Sequence, residues 1–160
     1  MGLKSEKVND LTKQAIIAAL YAVICIALAP ISYGEIQLRA AEMLMVLPFY
    51  NKKHTIGLTL GCFLANLFSP IGLPDIIFGT LATFIACVLI VKFKKLALVA
   101  PIAAGVNGVI VGAMLHIVFD VPLLLTMAAV ALGQLASVYA GIIVMKLLEK
   151  NSAVRQFLYS

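Results

Sequence analysis

Charged residues are scarce in this chain of 160 residues. Asp, Glu, Lys and Arg make up only 12% of it, against 63% hydrophobic residues, and the mean hydropathy is +1.10. About a quarter of the residues in a soluble domain are charged, so this composition excludes an ordinary soluble fold. The net charge of +5 comes from separate basic clusters, which argues against nucleic-acid binding and for topology signals beside a membrane.

Catalytic and nucleotide-binding motifs are also missing. The chain has no G-x-x-x-x-G-K-[ST] motif to hold nucleotide phosphates, and no H-E-x-x-H, G-x-S-x-G or paired His/Cys set. Cys25, Cys62 and Cys87 stand singly in three apolar segments, which predicts buried thiols and neither a metal site nor a disulfide framework. We therefore expect a binding protein, not an enzyme, with no cofactor of its own.

What the chain does contain is a series of long apolar segments. A helix needs roughly 20 residues to cross about 30 Å of hydrocarbon. The sequence predicts an all-α integral membrane protein with one domain over residues 1–160. Its six transmembrane helices are expected at residues 14–34, 34–51, 55–74, 76–91, 96–119 and 121–145.

Every Lys and Arg except Arg39 lies in a cluster that can share one side of the membrane. The clusters are Lys4, Lys7 and Lys13; Lys52 and Lys53; Lys92, Lys94 and Lys95; and Lys146, Lys150 and Arg155. Short loops rich in Lys and Arg stay cytoplasmic. The pattern therefore predicts that both termini are inside.

The second predicted crossing contains three charged residues, Glu35, Arg39 and Glu42, in its outer half. Charges at this depth must face protein or a water-filled cavity, and they commonly mark a functional site. On a helix, Arg39 lies four residues from Glu35 and three from Glu42, so it could pair with both. We predict a ligand site open to the outside. The alternative is an internal ion pair that only braces the outer loop.

Further polar residues collect toward the same outer face. Asp75 begins the fourth helix as a cap or as a ligand contact, and His116 either binds ligand or pairs with Asp120. Buried amides either bind ligand or hold helices together by hydrogen bonds. The candidate substrate-binding residues are Glu35, Gln37, Arg39, Glu42, Asn66, Asp75, Asn107, His116 and Gln134.

Small residues form two stripes. Ala15, Ala18, Ala19 and Ala22 lie on the cytoplasmic half of the first helix, and Gly108 and Gly112 form a G-x-x-x-G on the fifth. Either stripe could pack within the bundle. The alanine stripe could instead meet another subunit.

Three segments resemble a known family. They are Ala29-Pro-Ile-Ser-Tyr-Gly-Glu-Ile-Gln-Leu-Arg-Ala-Ala-Glu with Val46-Leu-Pro-Phe; Gly61-Cys-Phe-Leu-Ala-Asn-Leu-Phe-Ser-Pro; and Asp75-Ile-Ile-Phe-Gly-Thr-Leu-Ala-Thr. The chain is similar to the QueT family, the substrate-binding (S) components of energy-coupling factor (ECF) transporters for queuosine precursors. Two positions depart from the family pattern: Glu35 stands where proline is usual, and Gln134 where glutamate is usual.

The resemblance implies a compact S-component bundle in a bacterial plasma membrane. It implies a 7-deazaguanine ligand taken from outside, and delivery by docking on a coupling membrane protein with two cytoplasmic ATPases, which use the ATP. It also implies that Ala15, Ala18, Ala19 and Ala22 contact the coupling protein. Three alternatives stay open: an S component for another vitamin or nucleobase, a stand-alone proton-coupled carrier using Glu42 or Asp75, and an assembly subunit without a transport role.

Overall fold

The computed structural model describes residues 2–28 and 39–159, with side chains from Val8 onward in the first range. Every regular element in these ranges is helical, which confirms the all-α class. The elements are α1 (Gly2–Ala27), α2 (Ala40–Tyr50), α3 (His54–Asn66), α4 (Asp75–Phe93), α5 (Leu96–Phe119), α6 (Leu123–Leu148) and α7 (Ser152–Tyr159).

Two of these helices are irregular. The first part of α2, Ala40–Val46, is a 3₁₀-helix that continues as α-helix over Leu47–Tyr50. α4 opens with a π-helical turn over Asp75–Gly79 before its α-helical part, Thr80–Phe93. π-Turns occur frequently at functional sites.

Within the described residues, four helices are long and apolar enough to cross a membrane. They are α1 over Val8–Ala27, α4, α5 and α6. α2 and α3 are shorter, and α3 has 13 residues. The chain is therefore a multi-pass helical membrane protein.

The predicted helix bounds hold best for the last three predicted crossings. α5 spans the predicted residues 96–119, and α4 and α6 differ from prediction by up to three residues at an end. α1 begins 12 residues earlier than predicted, and residues 29–38, where its predicted end and the start of the second crossing fall, lie outside the described residues.

The predicted extension of the third helix to residue 74 is wrong, because α3 ends at Asn66. The chain then turns, with Gly72 N–H bonded to the Ser69 carbonyl at 3.1 Å and Gly72 at a φ of 75°. Two prolines in this segment, Pro70 and Pro74, lack the N–H that a continuing helix needs. The two prolines and Gly72 indicate a turn in the sequence, but the charge-free apolar residues around them favoured a longer helix.

α2 is the central helix of the bundle. Its buried residues are Ala41, Glu42, Met45, Val46, Leu47, Pro48 and Tyr50. Its backbone touches α6, because a Cβ added at Gly141 would lie 2.0 Å from the Met43 carbonyl oxygen. The irregular backbone and the charge of this helix are thus enclosed by protein, as a membrane requires.

Glycines also set the approach of α1 to α3. A Cβ added at Gly57 would lie 2.8 Å from the Gln14 carbonyl oxygen, and one at Gly61 would lie 2.7 Å from the Tyr21 Cβ. Because the helices approach so closely, Gln14 and Tyr21 of α1 contact the same face of α3, at Gly57 and Gly61 respectively.

The predicted G-x-x-x-G on α5 packs within the bundle. A Cβ added at Gly112 would lie 2.7 Å from the Met127 Cα on α6, and one at Gly108 would lie 3.0 Å from the Ala131 Cβ. α5 and α6 form the most extensive helix pair in the described ranges.

The short helix α7 was not predicted, and a chain of hydrogen bonds attaches it to the bundle. Gly57 N–H donates to Gln14 Oε1 at 3.3 Å, Gln14 Nε2 donates to His54 Nδ1 at 3.3 Å, and His54 Nε2 donates to the Leu158 carbonyl at 3.1 Å. A carbonyl can only accept, so the neutral ring carries its hydrogen on Nε2. We call Gln14, His54, Gly57 and Leu158 the histidine relay.

Candidate functional site

Two carboxylates are buried on adjacent elements. Glu42 on α2 is 1% exposed, and Asp75, the first residue of α4, is 0% exposed. Burial of an ionised carboxylate is unfavourable unless hydrogen bonds or an opposite charge compensate it. The two side chains receive different compensation.

Asp75 is paired with a cation. Arg39 Nη2 lies 2.7 Å from both Oδ1 and Oδ2 of Asp75, and the Ser69 hydroxyl donates to Oδ2 at 2.7 Å. Asp75 follows Pro74 at the start of α4, where no side-chain capping bond is formed, and its carboxylate makes this ion pair. A side chain at Gly79 would disturb the pair, because its Cβ would lie 3.1 Å from Asp75 Oδ1.

Arg39 has a partner that helical spacing does not indicate. The sequence favoured Glu35 and Glu42, four and three residues away; Glu35 lies outside the described residues, and the structure pairs Arg39 with Asp75, 36 residues along the chain. Arg39 precedes α2 with extended backbone, so the helical spacing to Glu42 does not apply.

Glu42 is held by uncharged groups. The Tyr21 hydroxyl on α1 donates to Oε1, and Gln134 Nε2 on α6 donates to Oε2 at 2.9 Å. An ionised carboxylate has about four lone-pair sites, so each oxygen keeps capacity for a further donor. The amide at position 134 therefore orients Glu42, which a glutamate at that position could do only if protonated.

Asn66 is the last residue of α3 and is 0% exposed. Its Nδ2 donates to the Asp75 backbone carbonyl at 2.9 Å, which fixes the orientation of the amide. Within the described ranges, Asn66 Oδ1 is buried without a hydrogen-bond partner. A buried acceptor left unsatisfied is uncommon and calls for a missing donor.

These side chains form two hydrogen-bonded groups, one around Glu42 and one around Asp75, which together we call the carboxylate network. Its members are Tyr21, Arg39, Glu42, Asn66, Ser69, Asp75 and Gln134. The Arg39–Asp75 charges cancel, so an ionised Glu42 leaves one negative charge. Such a network favours a ligand that is cationic or rich in N–H donors.

Two predicted residues bond elsewhere. Asn107 Nδ2 donates to the Ala103 carbonyl of its own helix at 3.0 Å. His116 Nδ1 lies 2.6 Å from the Val121 carbonyl, the bond it makes in place of the expected pairing with Asp120. Glu35 and Gln37 lie outside the described residues.

The alanine stripe divides between two surfaces. Ala18 and Ala22 are buried, and Ala18 lies against Gly61 of α3. Ala15 and Ala19 are exposed on the other side of α1. The cysteines behave as predicted: Cys25, Cys62 and Cys87 are buried free thiols.

Tyr21 was missed by sequence reasoning. A tyrosine in an apolar helix is usually attributed to packing, but this one lies three residues from Ala18 and one from Ala22, on the buried side of α1. The register of that stripe could have placed its hydroxyl inside the bundle. Ser69 also lies outside the set of residues that the sequence predicted for the site.

Comparisons with known proteins agree with the motif resemblance. Residues 11–150 match the family described as QueT transporter. The chain is 34% identical over 165 aligned residues to the Queuosine precursor transporter QueT of Lactococcus lactis subsp. cremoris (strain MG1363), an alignment that covers 93% of this chain and 97% of that relative. No solved structure matches the chain.

Proposed function

The chain belongs to the QueT transporter family, and we propose that it is the substrate-binding membrane subunit of an ECF importer for a queuosine precursor. The name of the Lactococcus relative supports the ligand class, and the buried Glu42 is the observation that carries the proposal. Membership of a transporter family makes the chain a transport protein and not an enzyme.

Glu42 suits the base of such a ligand. A 7-deazaguanine presents a ring N–H and an exocyclic amino group side by side, and a carboxylate can accept from both at once. Tyr21 and Gln134 each occupy one site on a different oxygen, which leaves acceptor capacity on both. We assign Glu42 the bidentate contact with the ligand.

Asn66 and Gln134 complete the ligand contacts in this proposal. The unpaired Asn66 Oδ1 accepts from the ligand, and Gln134 lies beside the contact of Glu42. Arg39 and Asp75 hold the wall of the site, because they neutralise each other. Glu35, Gln37, Asn107 and His116 stay predicted ligand residues.

Six crossings with both termini inside complete the proposal. α2 and α3 are the two short crossings between α1 and α4. Protein surrounds the irregular α2. Because α2 does not face lipid, it can be shorter and more polar than a helix in contact with lipid. The distribution of lysines supports a cytoplasmic location for the His54 end of α3. The membrane is then the bacterial plasma membrane.

Partner docking is proposed for α1. Its exposed Ala15 and Ala19 offer a smooth face to a coupling membrane protein, whose two ATPases hydrolyse the ATP, while Ala18 and Ala22 hold α1 on α3. Copurification of the chain from cells that express the module tests this. Recovery of the coupling protein and two ATPases supports docking, and uptake that needs only a proton gradient contradicts it.

The ligand assignment is tested with Glu42→Gln. Purified protein should bind radiolabelled 7-deazaguanine, and the variant should bind about 100-fold more weakly, because an amide offers one acceptor and an opposing donor in place of two acceptors. Equilibrium dialysis measures the affinity, and size-exclusion chromatography checks folding.

Glu149→Gln is the matched control. Glu149 also accepts from tyrosine hydroxyls, Tyr159 at 2.8 Å and Tyr50 at 3.4 Å, but it lies near α7. Its replacement should leave the affinity within twofold of the parent protein. Equal losses in both variants, or an unchanged affinity in folded Glu42→Gln, would remove Glu42 from the site.

A further inference from the structure

Tyr21 is the one member of the carboxylate network contributed by α1. It is 0% exposed, and its Cβ faces Gly61, where α1 and α3 approach too closely for another side chain. Its backbone is thereby fixed. The hydroxyl reaches Glu42 on α2 from a rigid helix pair.

The carboxylate of Glu42 accepts hydrogen bonds from two different helices. Tyr21 on α1 donates to Oε1 and Gln134 on α6 donates to Oε2. One donor would leave the carboxylate free to rotate about its terminal torsion, which is broad for glutamate. Two donors from separate helices, one for each oxygen, hold both oxygens in a single plane and position.

We propose that Tyr21 is a specificity-determining positioning residue, which holds Glu42 so that both oxygens can accept together from a ligand with two adjacent N–H donors. This inference rests on the proposed function. The ligand edge that fits is that of a 2-amino-4-oxopyrimidine ring, with its ring N–H and its 2-amino group. A base with a single donor on that edge uses only one oxygen and gains less from the fixed plane.

Two probes separate positioning from general binding. 7-Deazaguanine carries the 2-amino group, and 7-deazahypoxanthine is the same ring system without it. The parent protein should prefer 7-deazaguanine by about 10-fold or more, the value of one charge-assisted hydrogen bond. The ratio of the two affinities is therefore the readout of a correctly held carboxylate.

Tyr21→Phe keeps the ring and removes only the hydroxyl. We expect the affinity for 7-deazaguanine to fall about 10-fold and that for 7-deazahypoxanthine about two- to threefold, so that the preference shrinks at least threefold. Tyr50→Phe is the matched control, since it removes a buried hydroxyl from another glutamate, Glu149, outside the network. That control should leave the ratio unchanged.

Parallel losses for the two probes in Tyr21→Phe would overturn the inference, because a merely structural hydroxyl weakens both alike. Gln134→Met, which removes the donor on the other oxygen, should shrink the preference in the same way. It serves as the deciding variant if Tyr21→Phe does not fold. Failure of the parent protein to bind either probe would instead reject the proposed function.

Discussion

Two buried polar networks lie at opposite ends of α3, the histidine relay around His54 and the carboxylate network around Asn66. The two residues are the first and last of a 13-residue helix, about 18 Å apart along its axis. Both networks bridge from α3 to α1, through Gln14 in one and through Tyr21 and its neighbours in the other. The two networks differ in how many hydrogen-bond acceptors keep capacity for a further donor.

The hydrogen-bonding groups of the histidine relay are almost all used within the relay. Both ring nitrogens of His54 have partners, and the Gln14 amide donates to the ring while accepting from Gly57. The Phe157 ring stacks on the imidazole with ring centroids 6.0 Å apart. A network with so little spare capacity fixes a local structure, and here it attaches α7.

The carboxylate network keeps acceptors in reserve. Asn66 Oδ1 has no partner among the described residues, and both oxygens of Glu42 can accept again. Since an orphaned buried acceptor is unfavourable, a fold gains nothing from it unless a ligand supplies the donor. Unused hydrogen-bonding capacity, more than burial or charge, distinguishes the candidate site from the structural network.

The largest effect is expected from Arg39→Ala, which tests whether the ion pair of the carboxylate network is structural. The change leaves Asp75 buried and charged without its cation, at a cost of about 3–5 kcal/mol in unfolding free energy. Thermal unfolding in detergent measures it.

Lys53→Ala provides the matched control for that variant. Lys53 pairs with Asp10 at 2.5 Å, but the two side chains are 47% and 32% exposed. Solvent weakens such a pair, so the loss should stay below about 1 kcal/mol. Similar shifts for the two variants would show that Asp75 does not depend on its buried cation.

The next effect in size is expected from His54→Ala, which breaks the relay. The variant removes a fully buried ring and the hydrogen-bond partner of both Gln14 Nε2 and the Leu158 carbonyl, at a cost of about 2–4 kcal/mol. Amide hydrogen exchange over residues 152–159 should rise, because α7 loses its attachment.

The ligand affinity of the same His54→Ala variant distinguishes the roles of the two networks. A folded His54→Ala protein should bind 7-deazaguanine within about twofold of the parent affinity, because the relay holds no ligand contact. Lost affinity together with unchanged exchange of α7 would reverse the roles we assign to the two networks.

Much of the helical framework could be predicted, because long charge-free segments that lie between charged residues leave few alternatives. The bounds of α5 follow directly from its apolar segment and the Asp120 that ends it. The end of α3 could not be found in this way, since the turn after Asn66 is as apolar as the helix. Hydropathy reflects composition only, so it does not reveal a backbone turn formed by apolar residues.

Most members of the carboxylate network could be predicted from the sequence, but their pairing could not. Asn66, Asp75 and Gln134 were predicted as polar residues inside an apolar bundle; Asn66 does bond to Asp75, and Gln134 bonds to Glu42. The pairing of Arg39 with Asp75 joins two elements 36 residues apart, which no helical spacing can indicate. Tyr21 was missed because only the packing of α1 on α3 turns an ordinary aromatic residue into a donor.

The smallest effects should come from two glycines one turn apart on α3, and they separate the networks most finely. A Cβ at Gly57 would lie 2.9 Å from Gln14 Oε1 of the relay, and a Cβ at Gly61 would lie 2.7 Å from the Tyr21 Cβ. Alanine at either position must push α1 away, at a cost of about 1–3 kcal/mol. Gly105→Ala on α5, with nothing within 4 Å, should instead stabilise by up to about 1 kcal/mol.

The two substitutions create similar steric overlap between α1 and α3, but they displace different residues of α1. Gly61→Ala should move Tyr21 away from Glu42 and lower the affinity for 7-deazaguanine about fivefold, while exchange of α7 stays near the parent value. Gly57→Ala should disturb Gln14 and raise exchange of α7, with the affinity nearly unchanged. If both variants changed both readouts, α1 and α3 would move as one rigid pair, and the two networks would be mechanically coupled through it.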